Sequence, residues 1–143
     1  MKKLRRPKTV QYFKKRATEK RKAIERKKAG LPDSKLEVTF QNLLKELNIP
    51  FQCQFQLDYK FYDFKIKGKK ILIEVDGDYW HCNPKKYPDG PINKKQQFAI
   101  KNDKFKNLLA KKSGYTLIRV WEEDINKRPL VVLEKLKKLL LEE

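Results

Sequence analysis

The chain has 143 residues, the size of one compact domain. Lys and Arg number 36 against 18 Asp and Glu, a formal charge of +18, with 39% apolar and 38% charged residues. This balance allows one modest core under a densely charged surface and makes a polyanion the first partner, nucleic acid ahead of an anionic membrane. It excludes a membrane-spanning chain, because no run approaches the ~20 apolar residues a span needs. A secretory signal is not expected either, since the basic N-terminus has no apolar stretch behind it.

Residues 1–30 hold 14 Lys/Arg and 2 Glu, so two thirds of the excess charge sits in the first fifth of the chain. Apolar residues are too sparse there to order it by burial. The segment reads as a basic arm, partly helical over 9–28, whose Lys2, Lys3, Arg5, Arg6, Lys8, Lys14, Lys15 and Arg16 contact phosphates by counterion release. Residues 31–143 form the second unit. After the Gly30-Leu31-Pro32 breaker, Ser34-x-x-Glu37 has the form of a capping box, and Leu36, Phe40, Leu43, Leu44 and Leu47 follow at helical spacing. Residues 51–57 alternate strictly, which predicts a strand with Phe51, Cys53 and Phe55 on its buried face. Cys53 is then a buried structural thiol, and two cysteines with one histidine make neither a disulfide scaffold nor a Cys/His zinc site. A reducing, cytoplasmic setting is the simplest home.

Residues 61–66 and 70–76 read as a hairpin around Lys67-Gly68-Lys69, the second strand central and nearly all apolar before Glu74. Residues 83–93 hold three prolines and a glycine and form a loop. A helix follows over 94–112, with Phe98, Phe105 and Leu109 as its inner stripe and Gly114 as its stop. Residues 115–121 form another strand. Pro129 opens a last helix with Val132, Leu133, Leu136, Leu139 and Leu140 on one face. The expected fold is α/β (α+β), a small mixed sheet flanked by helices with a basic N-terminal arm.

Three acids interrupt strands that should be apolar: Asp63, Glu74 and Asp76. Residues two apart share a strand face, so Glu74 and Asp76 point the same way. A two-residue turn would pair position 63 with 72 and put Asp63 on that face, whereas a three-residue turn would reverse it. Carboxylates so gathered either carry raised pKa values or hold a hard cation, Mg²⁺ first. The plainer reading is strand-end acids paired with Lys65 or Lys70. The sole histidine, His81, follows the Asp76-Gly77-Asp78 turn, within reach of a role in proton transfer.

Asp63, the block Ile-Leu-Ile-Glu-Val-Asp-Gly-Asp-Tyr-Trp-His (71–81), Lys101-Asn102-Asp103-Lys104 and the strand running from Gly114 to Glu122 together resemble the very-short-patch-repair (Vsr) endonucleases. These belong to the PD-(D/E)XK restriction-endonuclease-like superfamily. The same residues resemble Vsr-like phage homing endonucleases with a Glu-Asp-x-His-Asp set. The resemblance spans about residues 34–126. It implies a Mg²⁺-dependent endonuclease of double-stranded DNA, with Mn²⁺ as a substitute, acting as monomer or homodimer inside a bacterial or phage-infected cell. Glu37 would be the helical glutamate that reaches the site, the alternative being a purely capping role. Asp63 would be the central metal ligand, joined by Glu74, the Val75 carbonyl and Asp76, which stands where a lysine often stands. His81 would be the general acid/base, and Asp103 its orienting carboxylate unless it is only a solvated helix acid. Trp80 and Trp121 are expected in the core. The His/Cys-rich zinc site of the repair enzymes has no counterpart, and Glu123 stands where a cysteine would be wanted, so no structural zinc is expected. The charge alone also suits a non-catalytic nucleic-acid-binding protein, and the same acids would suit a structure-specific or RNA nuclease.

Overall fold

The computed structural model describes residues 9–141. Thr9 caps the first helix, its side chain accepting from the Tyr12 N–H, and α1 (Val10–Lys28) then runs with no buried residue. Lys14, Lys15 and Arg16 lie exposed on it, while the expected contacts at Lys2, Lys3, Arg5, Arg6 and Lys8 fall outside the described residues. Ser34 caps α2 (Lys35–Glu46), which buries Phe40, Leu43 and Leu44. The strands β1 (Phe51–Leu57), β2 (Lys60–Ile66) and β3 (Ile71–Asp76) follow, then α3 (Lys94–Lys112), β4 (Thr116–Trp121), a short α4 (Glu122–Lys127) and α5 (Pro129–Leu140). The four strands form one sheet in the order β1-β2-β3-β4, antiparallel up to β3 and parallel between β3 and β4. This is the expected mixed sheet flanked by helices. No helix among the described residues is long and apolar enough to cross a membrane.

Two apolar layers cover the sheet. On one side Phe40 and Leu44 of α2 and Leu136 and Leu140 of α5 pack onto Cys53, Phe64, Ile73 and Val75. On the other, Ala110 of α3 packs with Tyr62 and Leu72, flanked by Phe55, Leu57 and Leu117. Each large side chain buried this way contributes about 1.5–3 kcal/mol. β3 alternates between the layers, with Ile71, Ile73 and Val75 on one and Leu72 on the other, so both its faces are covered as its composition required.

Three expectations need correction. The strict alternation of 51–57 does not put its apolar residues on one face: Phe51 and Cys53 join the α2/α5 layer, whereas Phe55 and Leu57 join the α3 layer. The change occurs at Gln54, whose φ of 53° is left-handed. Such a backbone costs a non-glycine residue about 1–2 kcal/mol and turns the strand between layers. The inner face of α3 is also not the aromatic stripe. Phe98 is 72% and Phe105 42% exposed, and Gln96, Lys106 and Ala110 are buried instead. Polar demands of the sheet set the rotation of this helix, as the site below shows. Finally, Glu122, Glu123 and Asp124 open α4 where no helix was expected, their charges favourable at a helix N-terminus. Gly114 does stop α3: at φ 83° it lets the Tyr115 N–H reach the Ala110 carbonyl and its own N–H reach that of Lys111.

Candidate active site

The β2–β3 connection is longer than a two-residue turn. Phe64 pairs with Ile73 and Lys65 with Leu72, so the link is residues 67–70. Continuing that register sets Asp63 opposite Glu74 rather than Leu72. A shift of two residues keeps the face, so the inferred clustering of Asp63 with Glu74 stands. Asp63 also lies across from Gln54, between the pairs Cys53–Phe64 and Phe55–Tyr62. It therefore occupies the point where both strands pass from one layer to the other. Its carboxylate Oδ2 accepts the Val75 N–H at 2.8 Å.

From the other side α2 delivers Glu37. Its N–H donates to Ser34 Oγ at 3.1 Å, as in a capping box. Its side chain does more than cap: Oε2 accepts from the Asp33 N–H at 2.9 Å and from Gln54 Nε2 at 2.7 Å. Asp63 thus lies between Glu37 on one flank and Glu74 on the other, and the three share one cleft. Burial, with the neighbouring Glu37 charge, pushes the Asp63 carboxyl up to about 7. Burial and Asp63 push Glu74 up to about 8, against the pull of Lys106. Glu37 is raised by burial, opposed by the Asp33 N–H. The three side chains line one cleft of about 690 Å³ with Val75, His81 and Lys106.

His81 and Asp103 meet in the same place. His81 Nδ1 lies 2.8 Å from Asp103 Oδ2 and 3.7 Å from Asp76 Oδ1. Burial pulls the imidazole pKa down, but the Asp103 hydrogen bond and the Asp76 charge outweigh it and leave it raised. Asp103 is on the inward side of α3, because that helix turns its polar face to the sheet. Asp76 is differently employed from the expectation that it joins the metal-facing acids. It is 2% exposed, and Arg119 Nη1 donates to its two oxygens at 3.0 and 3.2 Å. Arg119 Nη2 also donates to the Asp103 carbonyl at 3.3 Å and Nε to Asn107 Oδ1 at 2.9 Å. Asp76 is pushed up to about 6 by burial against the pull of Arg119. It braces the His81–Asp103 pair rather than the Asp63 cluster.

Three participants escaped the sequence reading. Lys106, an unremarkable lysine in a lysine-rich helix, bonds Glu74 from inside the cleft. Gln54 stood on the presumed solvent face of an alternating strand. Arg119 did carry a signal, a lone cation in the otherwise apolar Thr-Leu-Ile-Arg-Val-Trp strand, to be matched with an acid across the sheet. Trp80 was expected in the core but is 58% exposed on the cleft wall, and Tyr79 is 41% exposed. Trp121 is half-buried. Cys53 is buried as expected, and Cys82 is a second buried free thiol.

Among the described residues no three His, Cys, Asp or Glu side chains form a finished metal cage. The donor set nevertheless fits a hard cation. Buried carboxyl groups gathered in one cleft require either protons or positive charge beside them. Mg²⁺ is commonly held by one or two carboxylates, with water and substrate oxygens completing its shell.

The fold has a solved counterpart. The chain matches the homing endonuclease I-Bth0305I catalytic domain with a TM-score of 0.56 at 21% sequence identity, over 76% of this chain and 95% of that one. No protein-family model and no curated protein matches it. The chain therefore shares the fold of a homing-endonuclease catalytic domain.

Proposed function

We propose that the chain is a Vsr-like, Mg²⁺-dependent DNA endonuclease that hydrolyses phosphodiester bonds in double-stranded DNA. The observation that carries this reading is the convergence of Glu37, Asp63 and Glu74 with the His81–Asp103 pair in one cleft of a chain with charge +18. The likeness of the fold to a homing-endonuclease catalytic domain supports it. A divalent ion, held by Asp63 and Glu74 with the Val75 carbonyl, would supply Lewis-acid stabilisation of the phosphoryl oxygens and lower the pKa of the attacking water.

The chain's own residues do the rest. Asp103 accepts the Nδ1 proton of His81 and orients the ring, leaving Nε2 as the site of proton exchange in the cleft. Arg119 holds Asp76 and the Asp103 backbone, so the ring's carboxylate partner cannot drift. Glu37, tied to Gln54 and the Asp33 N–H, fixes the outer wall of the cluster. Residues 1–30 act as a phosphate-tracking arm and residues 31–143 as the nuclease unit. The test is incubation of purified protein with supercoiled plasmid. Conversion to nicked or linear DNA that needs Mg²⁺ or Mn²⁺ and stops on chelation is expected. Tight binding without cleavage in any divalent ion would contradict the reading.

A further inference from the structure

α3 carries lysines on every side, yet one of them is turned inward. Lys106 is 9% exposed, while Lys101, Lys104, Lys111 and Lys112 stay in solvent. Tyr62 fixes it twice: the tyrosine hydroxyl donates to the Lys106 carbonyl at 2.7 Å, and the ammonium lies 4.7 Å from the tyrosine ring centre. The ammonium bonds Glu74 on the cleft wall. Among the described residues it is the cation that ion-pairs with Glu74, which lines the cleft with Glu37 and Asp63. Burying an ammonium is costly unless it is paired, so the pairing holds this helix face against the sheet at the expense of Phe98 and Phe105.

Charge then limits what else the cleft can take. Three carboxylates against one ammonium leave a shortfall of two positive charges, which one divalent ion makes up. The other charges at the cleft have partners or face solvent: Asp33 pairs with Lys27, Asp76 and Asp103 with Arg119 and His81, Glu122 accepts the Asp78 N–H, and Lys35 is exposed. Two-metal phosphoesterase sites instead balance two ions against shared carboxylates. We propose that Lys106 is the site's resident second cation: by holding Glu74 it restricts the cleft to a single divalent ion, seated at Asp63. The proposal rests on the metal-dependent reading above, and Lys106 acts in it as a positioning residue.

The experiment uses the full chain without DNA and Mn²⁺ as the probe, counted by electron paramagnetic resonance. The wild-type protein is expected to bind one Mn²⁺ per chain. Lys106→Gln keeps a donor but loses the charge, and is expected to bind Mn²⁺ at least ~10-fold tighter or to admit a second ion. Lys106→Arg keeps the charge and should retain one ion with affinity within about threefold. Two ions in the wild type, or a folded Lys106→Gln with unchanged or weaker affinity, would overturn the proposal. Should the Gln variant not fold, the wild-type count and the Arg variant decide it on the same terms. Plasmid cleavage by the same samples separates the two ideas: a cleaving wild type with one ion and an unmoved Lys106→Gln ends this proposal and leaves the nuclease. A wild type that binds no Mn²⁺ yet cleaves ends this proposal alone, and one that neither binds Mn²⁺ nor cleaves ends both.

Discussion

Asp63 is a carboxylate placed where burial and the like charge of Glu37 resist its ionisation. A site that strains against its own charge is stabilised by removing that charge, usually at the cost of function. Asp63→Asn keeps an oxygen for the Val75 N–H and removes the repulsion. The metal-free variant is expected to melt higher than the wild type, by about 3 °C for each kcal/mol gained, while cleavage is lost. A lower melting temperature in calorimetry would show that the cluster is not strained. His81 offers a second residue-level test. Its pKa is raised by Asp103, which favours the imidazolium, so as pH falls the base form is lost early. Asp103→Asn should lower that pKa, move the acid limb of kcat to lower pH, and reduce kcat by about 10–100-fold. An unmoved limb in the pH–rate profile would detach Asp103 from His81. Asp63, Glu74 and His81 were legible because acids in an apolar strand and a sole histidine stand out. Lys106 and Gln54 were not, since nothing local distinguishes them from their neighbours.

At the level of elements, the places of the strands and of the long helices were readable, but the break of parity in β1, the short α4 and the rotation of α3 were not. The capped start of α2, the span of α3 and the Pro129 start of α5 follow from local chemistry of caps, glycine and proline. The rotation of α3 depends on partners distant in sequence: Lys106 on Glu74, Asp103 on His81 and the Tyr62 hydroxyl on the helix backbone. The apolar stripe read from spacing therefore gave way to the polar one. Phe98→Gln and Phe105→Gln should each change stability by no more than about 0.5 kcal/mol. Leu136→Ala, in the α5 layer, should cost about 2–5 kcal/mol. Urea denaturation of the three variants checks this, and a large loss at Phe98 would restore the aromatic stripe as core.

For the whole molecule, two charge distributions oppose each other: a basic exterior and an acidic cleft. Asp63 and Glu74 hold protons more tightly in the folded chain, at about 7 and 8 against ordinary values of 3.8 and 4.5. Folding therefore takes up protons between those values, and the metal-free protein should lose stability as pH rises from about 4 to about 8. Added Mg²⁺ should recover part of that loss at the alkaline end, measurable as a melting temperature against pH. The exterior acts on DNA. Affinity should fall steeply with salt, and removal of residues 1–30, which carry 14 of the 36 basic residues, should flatten the slope of log K against log salt. An unchanged slope would assign the phosphate contacts to the second unit.

The most direct measurement compares wild type and Asp63→Ala for cleavage and binding of the same DNA in Mg²⁺. Cleavage by the wild type alone, with DNA affinity retained by the variant, is the expected result. An Asp63→Ala protein that still cuts at the wild-type rate would contradict the central claim that this cluster performs the hydrolysis.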